Sequence, residues 1–301
     1  MTVRATIANL TNPNTPYTSG TVTIGSRVGT TGADGFATIT GVLPGMHLLT
    51  ATGGFVQREV MVNIMAGGTN EVRTNAFASS FNGQTWDQGF FDQVYRLADE
   101  HHVTHRWESF PQMVLDMDTL EMVHGMSHHG PGLPFTMGAV SGFMTQLPRY
   151  TGGLFPSVGP GSFAGMQRSG SDVPAAGTPG TWLVHGQDLG TQGEGHHSEW
   201  LDHRGYIIAS QSVFNTHETH MPGVGSMNQE LFQTLGACAD YPGSGYSSVV
   251  CVGATTEASE FDVMNQTYLY NRPPRTKTPD NTSAFETITG TLVSTSAARD
   301  A

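Results

Sequence analysis

Lysine is nearly missing from this chain: Lys277 stands alone among 13 basic residues, and only 13% of the 301 residues are charged. Thr, Ser, Asn and Gly must then form much of the surface, as in many β-rich extracellular proteins. The formal charge of -12 argues against a nucleic-acid partner and against an anionic membrane, because neither gains from an acidic surface. Long apolar runs are also absent, which leaves no integral membrane segment. The first ten residues lack the apolar stretch of a signal peptide, so export would use another route or a leader outside this chain. Cysteine is scarce, with Cys238 and Cys251 the only two. A disulfide between them fits an oxidising compartment and two buried thiols fit a reducing one; the bonded form is the expectation. The glycine runs are not followed by a helix carrying Lys-Ser/Thr, so no phosphate cradle is predicted. No Ser-His-Asp or Cys-His arrangement stands out.

What is present suggests two domains. Gly20–Gly25 and Phe36–Thr40 alternate like half-buried strands around a turn at Thr31–Gly35. His47–Ala51 and Val56–Val62 read as further strands. With the step Gly41-Val42-Leu43-Pro44-Gly45, this pattern resembles the carboxypeptidase regulatory-like family of small β-sandwiches. The resemblance implies an all-β, Ig-like or prealbumin-like module over residues 1–75, used as a spacer, adhesion unit or appendage. Ala66–Asn70 and the polar run to Gly83 read as a linker or the edge of the next domain, with the linker set at 76–84.

Beyond it, Trp86, Phe90, Val94 and Leu97 recur at helical spacing and predict a helix over 85–98. Phe110–Asp116, Thr181–Val184 and Tyr206–Ser210 read as strands, Pro134–Leu147 as a helix, and Ser247–Val252 as an apolar strand. Around Gln229–Ala239, Met227, Leu231, Phe232 and Leu235 form the buried stripe of an amphipathic helix that Gly236 stops.

The same stretch has the frame of a zinc-protease helix. H-E-x-x-H places two imidazoles one turn apart on one face, with the glutamate as general base on a metal-bound water. Here Glu230 holds the base position, while Gln229, Gln233 and Ala239 occupy the three ligand positions. Arg106-Trp107, Tyr150–Phe155, Glu260–Asn265, Tyr268–Pro274 and Thr278-Pro279-Asp280 follow in an order that resembles bacterial secreted metzincin-like zinc metalloproteases over residues 85–283. The resemblance implies an α/β domain over 85–301 with a mixed sheet and an active-site-type helix, Met264 in the Met-turn, and Glu230 as a vestigial base. Overall the fold class is α+β.

Thirteen histidines invite a search for a substitute site. His217 and His220 are three apart, and His196, His197 and His203 lie near Glu194 and Glu199. Imidazole with carboxylate suits borderline metals, yet Pro222 puts the first pair in a turn, and exposed histidines in Gly-rich loops often bind nothing. The expectation is therefore a pseudoenzyme without a cofactor, extracellular or at the cell surface, acting on a protein or peptide partner or by self-association. A peptide would lie along strand 206–214. The alternatives are an active zinc peptidase with a rewired site, and an assembly or adhesion protein that uses the protease fold as scaffold.

Overall fold

The computed structural model describes residues 1–9, 15–96, 103–123, 133–237, 246, 248–250, 257–276 and 280–281. The chain divides into two compact units, one of Met1–Gln88 with the described residues from Arg275 onward, the other of Gly89–Pro274.

The first unit contains strands β1 Thr2–Asn9, β2 Thr21–Ile24, β3 Arg27–Thr30, β4 Phe36–Thr40, β5 Gly45–Thr52, β6 Arg58–Ile64, β7 Thr69–Ala76, β8 Ser80–Phe81 and β9 Gln84–Thr85. One sheet has the order β4-β1-β7, with β1 antiparallel to β4 and parallel to β7. The other runs β6-β5-β2-β3 with antiparallel neighbours, and Asp280-Asn281 adds beside Arg58 and Glu59 in parallel. Alternate residues of both sheets point at each other, as period-two strands demand. Val3, Ala5 and Ile7 from one sheet meet Val22, Ile24, Leu49 and Ala51 from the other in a single apolar cluster. The turn expected before β4 is closed by Gly35, whose N–H donates to the Gly32 carbonyl. At φ +75° and with Pro16 where a Cβ would stand, only glycine fits there.

Two expectations change in this unit. Ala66–Gly83 is neither a linker nor the edge of the next domain: it holds β7, paired with β1 along its whole length, and the β8–β9 hairpin begins in it. Its polar outward residues, such as Glu71 and Arg73, conceal a strand whose Thr74 and Ala76 are buried. At the far end, the pairing of residues 280–281 with β6 ties the tail back to the first unit.

The second unit contains helices α1 Gln88–Tyr95, α2 Met117–Leu120, α3 Leu133–Thr145, α4 Leu147–Tyr150, α5 Pro160–Ala164, α6 Val224–Gln233 and α7 Glu260–Tyr270. Its strands are β10 Arg106–Trp107, β11 Gln112–Asp116, β12 Gln167–Arg168, β13 Thr181–Gln187, β14 Gly195–Leu201 and β15 Tyr206–Asn215. The sheet order is β12-β11-β13-β15, with β10 parallel to the start of β15 and β14 antiparallel along its other side. The chain is thus α+β, and this sheet is mixed. Trp182 and Ser212 share one face of the sheet, where α3 and α6 pack: the Phe143 ring meets Trp182 edge-on at 6.3 Å, and Ser212 Oγ donates to the Glu230 carbonyl.

Here too the boundaries move. The first helix starts at Gln88 rather than 85, because Gln84 and Thr85 are committed to pairing with β8. Ser248–Val250, expected within a strand, is a buried turn. Met264 is not in a turn. Ser259 and Asp262 form a reciprocal capping box that starts α7 at Glu260, so Met264 is the fifth residue of a helix and fully buried.

Candidate buried His-Glu site

Helix α6 is placed by contacts at both ends. Its N-cap is Gly223, which has no side chain to offer, and Glu194 takes over that role. The Glu194 carboxylate accepts from Gly223 N at 3.3 Å and from the Ser226 hydroxyl, putting an anion where the helix exposes its N–H groups. At the other end, Trp107 Nε1 donates to the Thr234 carbonyl at 2.9 Å and Tyr270 OH to that of Leu235 at 3.0 Å. Burial pushes the Tyr270 phenol far above its ordinary value, which keeps it a neutral donor. Gly236 then turns the chain at φ +110°, and a Cβ there would lie 2.5 Å from the His105 carbonyl oxygen. Met227, Leu231, Phe232 and Leu235 are fully buried, as the apolar stripe predicts.

Between α6 and the sheet lies a layer of ionisable side chains. His197 and Glu199 on β14 share the sheet face of their register partners Ser212 and Ser210. Glu230 Oε2 stands 3.6 Å from His197 Nδ1, with the two side chains 11% and 9% exposed. Glu199 Oε2 stands 2.6 Å from Nδ1 of His105, just before β10, and both are almost wholly buried. Gly195 makes room for this layer, because a Cβ there would lie 2.9 Å from Glu230 Cγ and 2.7 Å from the Val213 carbonyl. A buried carboxylate is tolerable only with a partner, and each of these two has an imidazole against it.

The residues singled out in the sequence divide into three groups. Glu230 and Gln233 are buried in this layer or beside it, and Gln229 is half-buried on the same helix. Ala239, Cys238 and Cys251 lie outside the described residues. The histidines of the substitute set are not gathered. His197 is buried, His196 alternates to the other face of β14, and His203 is exposed in the turn after it. His217 and His220 share the Thr219 hydroxyl, with Nδ1 contacts of 2.9 and 3.0 Å, in a separate loop. Among the described residues no three His, Cys, Asp or Glu side chains come together to hold a metal. The positions that would bear imidazoles in the zinc-protease frame carry Gln229 and Gln233, neutral amides that bind zinc poorly.

Sequence reasoning missed the pairing of His105 with Glu199, which are far apart in the chain and meet only through β10, β15 and β14. The pattern Ser259-x-x-Asp262 was the readable signal for the start of α7. The peptide route also moves: β15 is paired on both sides, by β13 and by β14, whereas β14 pairs only with β15 among the described residues.

No family model matches the chain, and neither does any curated protein. Among solved structures, it is similar to a chain of a type II cohesin–X–dockerin complex from Acetivibrio cellulolyticus, a C-terminal interface mutant, at 19% identity over 32% of this chain and 74% of that one, with a TM-score of 0.23. The N-terminal interface mutant of that complex gives 21% identity, 33% and 69% coverage and a TM-score of 0.23. The Caf1A usher C-terminal domain, whose conserved surface hydrophobic clusters are described as important for F1 antigen assembly, gives 17% identity over 27% of this chain and all of that one, with a TM-score of 0.22. No helix among the described residues is long and apolar enough to cross a membrane.

Proposed function

We propose that the second unit is a non-catalytic relative of the secreted metzincin-like zinc metalloendopeptidases, and that the protein works outside the cell as a binding or structural component. The observation that carries this reading is the placement of Glu230. A general base must reach a water on the metal. Here the glutamate at the base position is buried against His197, on a helix whose ligand positions are Gln229 and Gln233. Support for the reading comes from the order β13, β14, β15, α6 and α7; Met264, inside α7, departs from it. The first unit is read as the carboxypeptidase regulatory-like module, on its two packed sheets. A protein or peptide partner in extended form would lie along β14 rather than β15, because β15 is paired on both sides.

The test is elemental mass spectrometry of the purified protein, beside a casein-cleavage assay of the wild type and Glu230→Ala. The expected outcome is less than stoichiometric zinc and no cleavage that depends on Glu230. One zinc per chain with Glu230-dependent cleavage would establish the rewired peptidase instead.

A further inference from the structure

In the first unit the outward positions of a solvated sheet should be polar, because only its inner face is needed for the core. The sheet β4-β1-β7 obeys this rule with Arg4, Thr6, Glu71 and Arg73. So does β2 with Thr21 and Thr23. Strands β5 and β6 break it. Leu48 is paired directly with Met61 and Met46 with Asn63, and all three apolar side chains point outward. Leu43 and Met65 join them from the adjoining turns, where the start of β5 lies beside the end of β6 at the Gly45–Ile64 pair. Exposure runs from 40% at Met61 to 72% at Leu43. Together these five side chains expose roughly 500 Å², at the upper end of the largest apolar patch of an ordinary monomer (about 300–600 Å²).

We propose that this face is the contact between two copies of the chain, paired around a two-fold axis. Charge selects this occupant. A two-fold contact sets each residue near its own copy, so a charged patch would repel itself. The pairs Met46–Asn63 and Leu48–Met61 hold no charge, which first appears one pair further on, at Glu59. Residues 1–88 contain four Arg and four Asp or Glu, and a stretch with no net charge lacks the repulsion that keeps proteins apart. Area agrees. A stable interface takes about 800 Å² from each partner, of which the apolar patch supplies more than half, and polar neighbours such as Thr50 and Asn63 would form the rim. Methionine suits the centre of such a contact because its unbranched thioether adapts to the facing surface. This inference does not depend on the protease-like reading of the second unit.

Sedimentation equilibrium of the full chain tests it. The expected result is a monomer–dimer equilibrium with a dissociation constant on the order of 10 μM or tighter. Leu48→Glu with Met61→Glu should weaken it at least tenfold. Leu48→Ser with Met61→Ser should weaken it less, and Thr6→Glu, on the outer face of the other sheet, should leave it unchanged. Unaltered thermal melts establish that the variants are folded, which their exposed positions favour. A chain that stays monomeric throughout, a dimer indifferent to Leu48 and Met61, or an assembly larger than two would each overturn the proposal; the first would leave the face to a different protein.

Discussion

The two units are unusual in opposite places. The first keeps most of its ionisable residues outside, with Arg58 and Arg275 the ones buried among the described residues, and displays Leu43, Met46, Leu48 and Met65 to solvent. The second buries His105, His197, Glu199, Glu230 and Asp262, and residues 89–301 carry the whole formal charge of -12. A sandwich held by alternating apolar residues needs nothing more to fold, so its departure from pattern points to what it meets outside. An ionisable layer inside a sheet-and-helix unit gives no stability that apolar residues could not match. The second unit thus departs from the apolar rule in its interior, where the first departs from the polar rule on its surface.

The largest expected effect would break this contrast directly. His105→Ala leaves Glu199 buried beside no imidazole and should lower the stability of the second unit by about 3–5 kcal/mol, as broken buried pairs do. Replacing both members, His105→Leu with Glu199→Leu, should recover most of that loss. Denaturant titration with a probe in each unit would read it. If the double variant is as unstable as the single one, the pair is a structural necessity and the two units differ less than proposed. In the first unit the matching loss is a plain cavity: Ile24→Ala should cost about 2–5 kcal/mol, with no compensating double substitution.

A smaller effect separates crowding from backbone conformation. Gly236 and Gly67 both have positive φ, +110° and +87°. Around Gly67 nothing lies within 4 Å of a would-be Cβ, whereas at Gly236 the His105 carbonyl is 2.5 Å away and Leu269 Cδ2 is 2.8 Å away. Gly67→Ala should therefore cost only the conformational strain, about 1 kcal/mol. Gly236→Ala should cost about 2–4 kcal/mol, because α6 or the segment at His105 must also shift. Thermal unfolding of the two variants gives the difference.

How much could be read in advance also differs between the units, and for a physical reason. Local periodicity exposed β2, β4 and the stripe of α6, because their apolar residues repeat at two or at three to four. It missed β7, where only Val72 interrupts a polar run and the pairing with β1 supplies the rest. It also read β14 as a histidine cluster, since Gly195-His196-His197-Ser198-Glu199 turns polar side chains inward, against the usual pattern. Gly236 was legible as a stop, but the carbonyl crowding it belongs to a residue more than a hundred positions earlier. In the same way, Glu230 was found as a motif position, whereas its imidazole partner could come only from the fold.

The smallest expected effect concerns pH. Burial lowers the His185 pKa below its ordinary value, against the opposing help of Gln211 at 3.3 Å. The unfolded chain then binds this proton better, so stability is lost as pH falls through about 6.5 and returns above it. Asp262 works the other way. Burial raises its pKa despite the hydrogen bonds from Ser248, Val249 and Ser259, so its contribution is greatest at low pH and is lost as pH rises from about 4. Between these values the two oppose each other within one unit, and only single variants resolve them. Unfolding midpoints of the second unit, taken from pH 4 to 8, should rise more gently with pH in His185→Gln than in the wild type. An unchanged slope would mean that the imidazole is hydrated well enough to take its proton in the folded state.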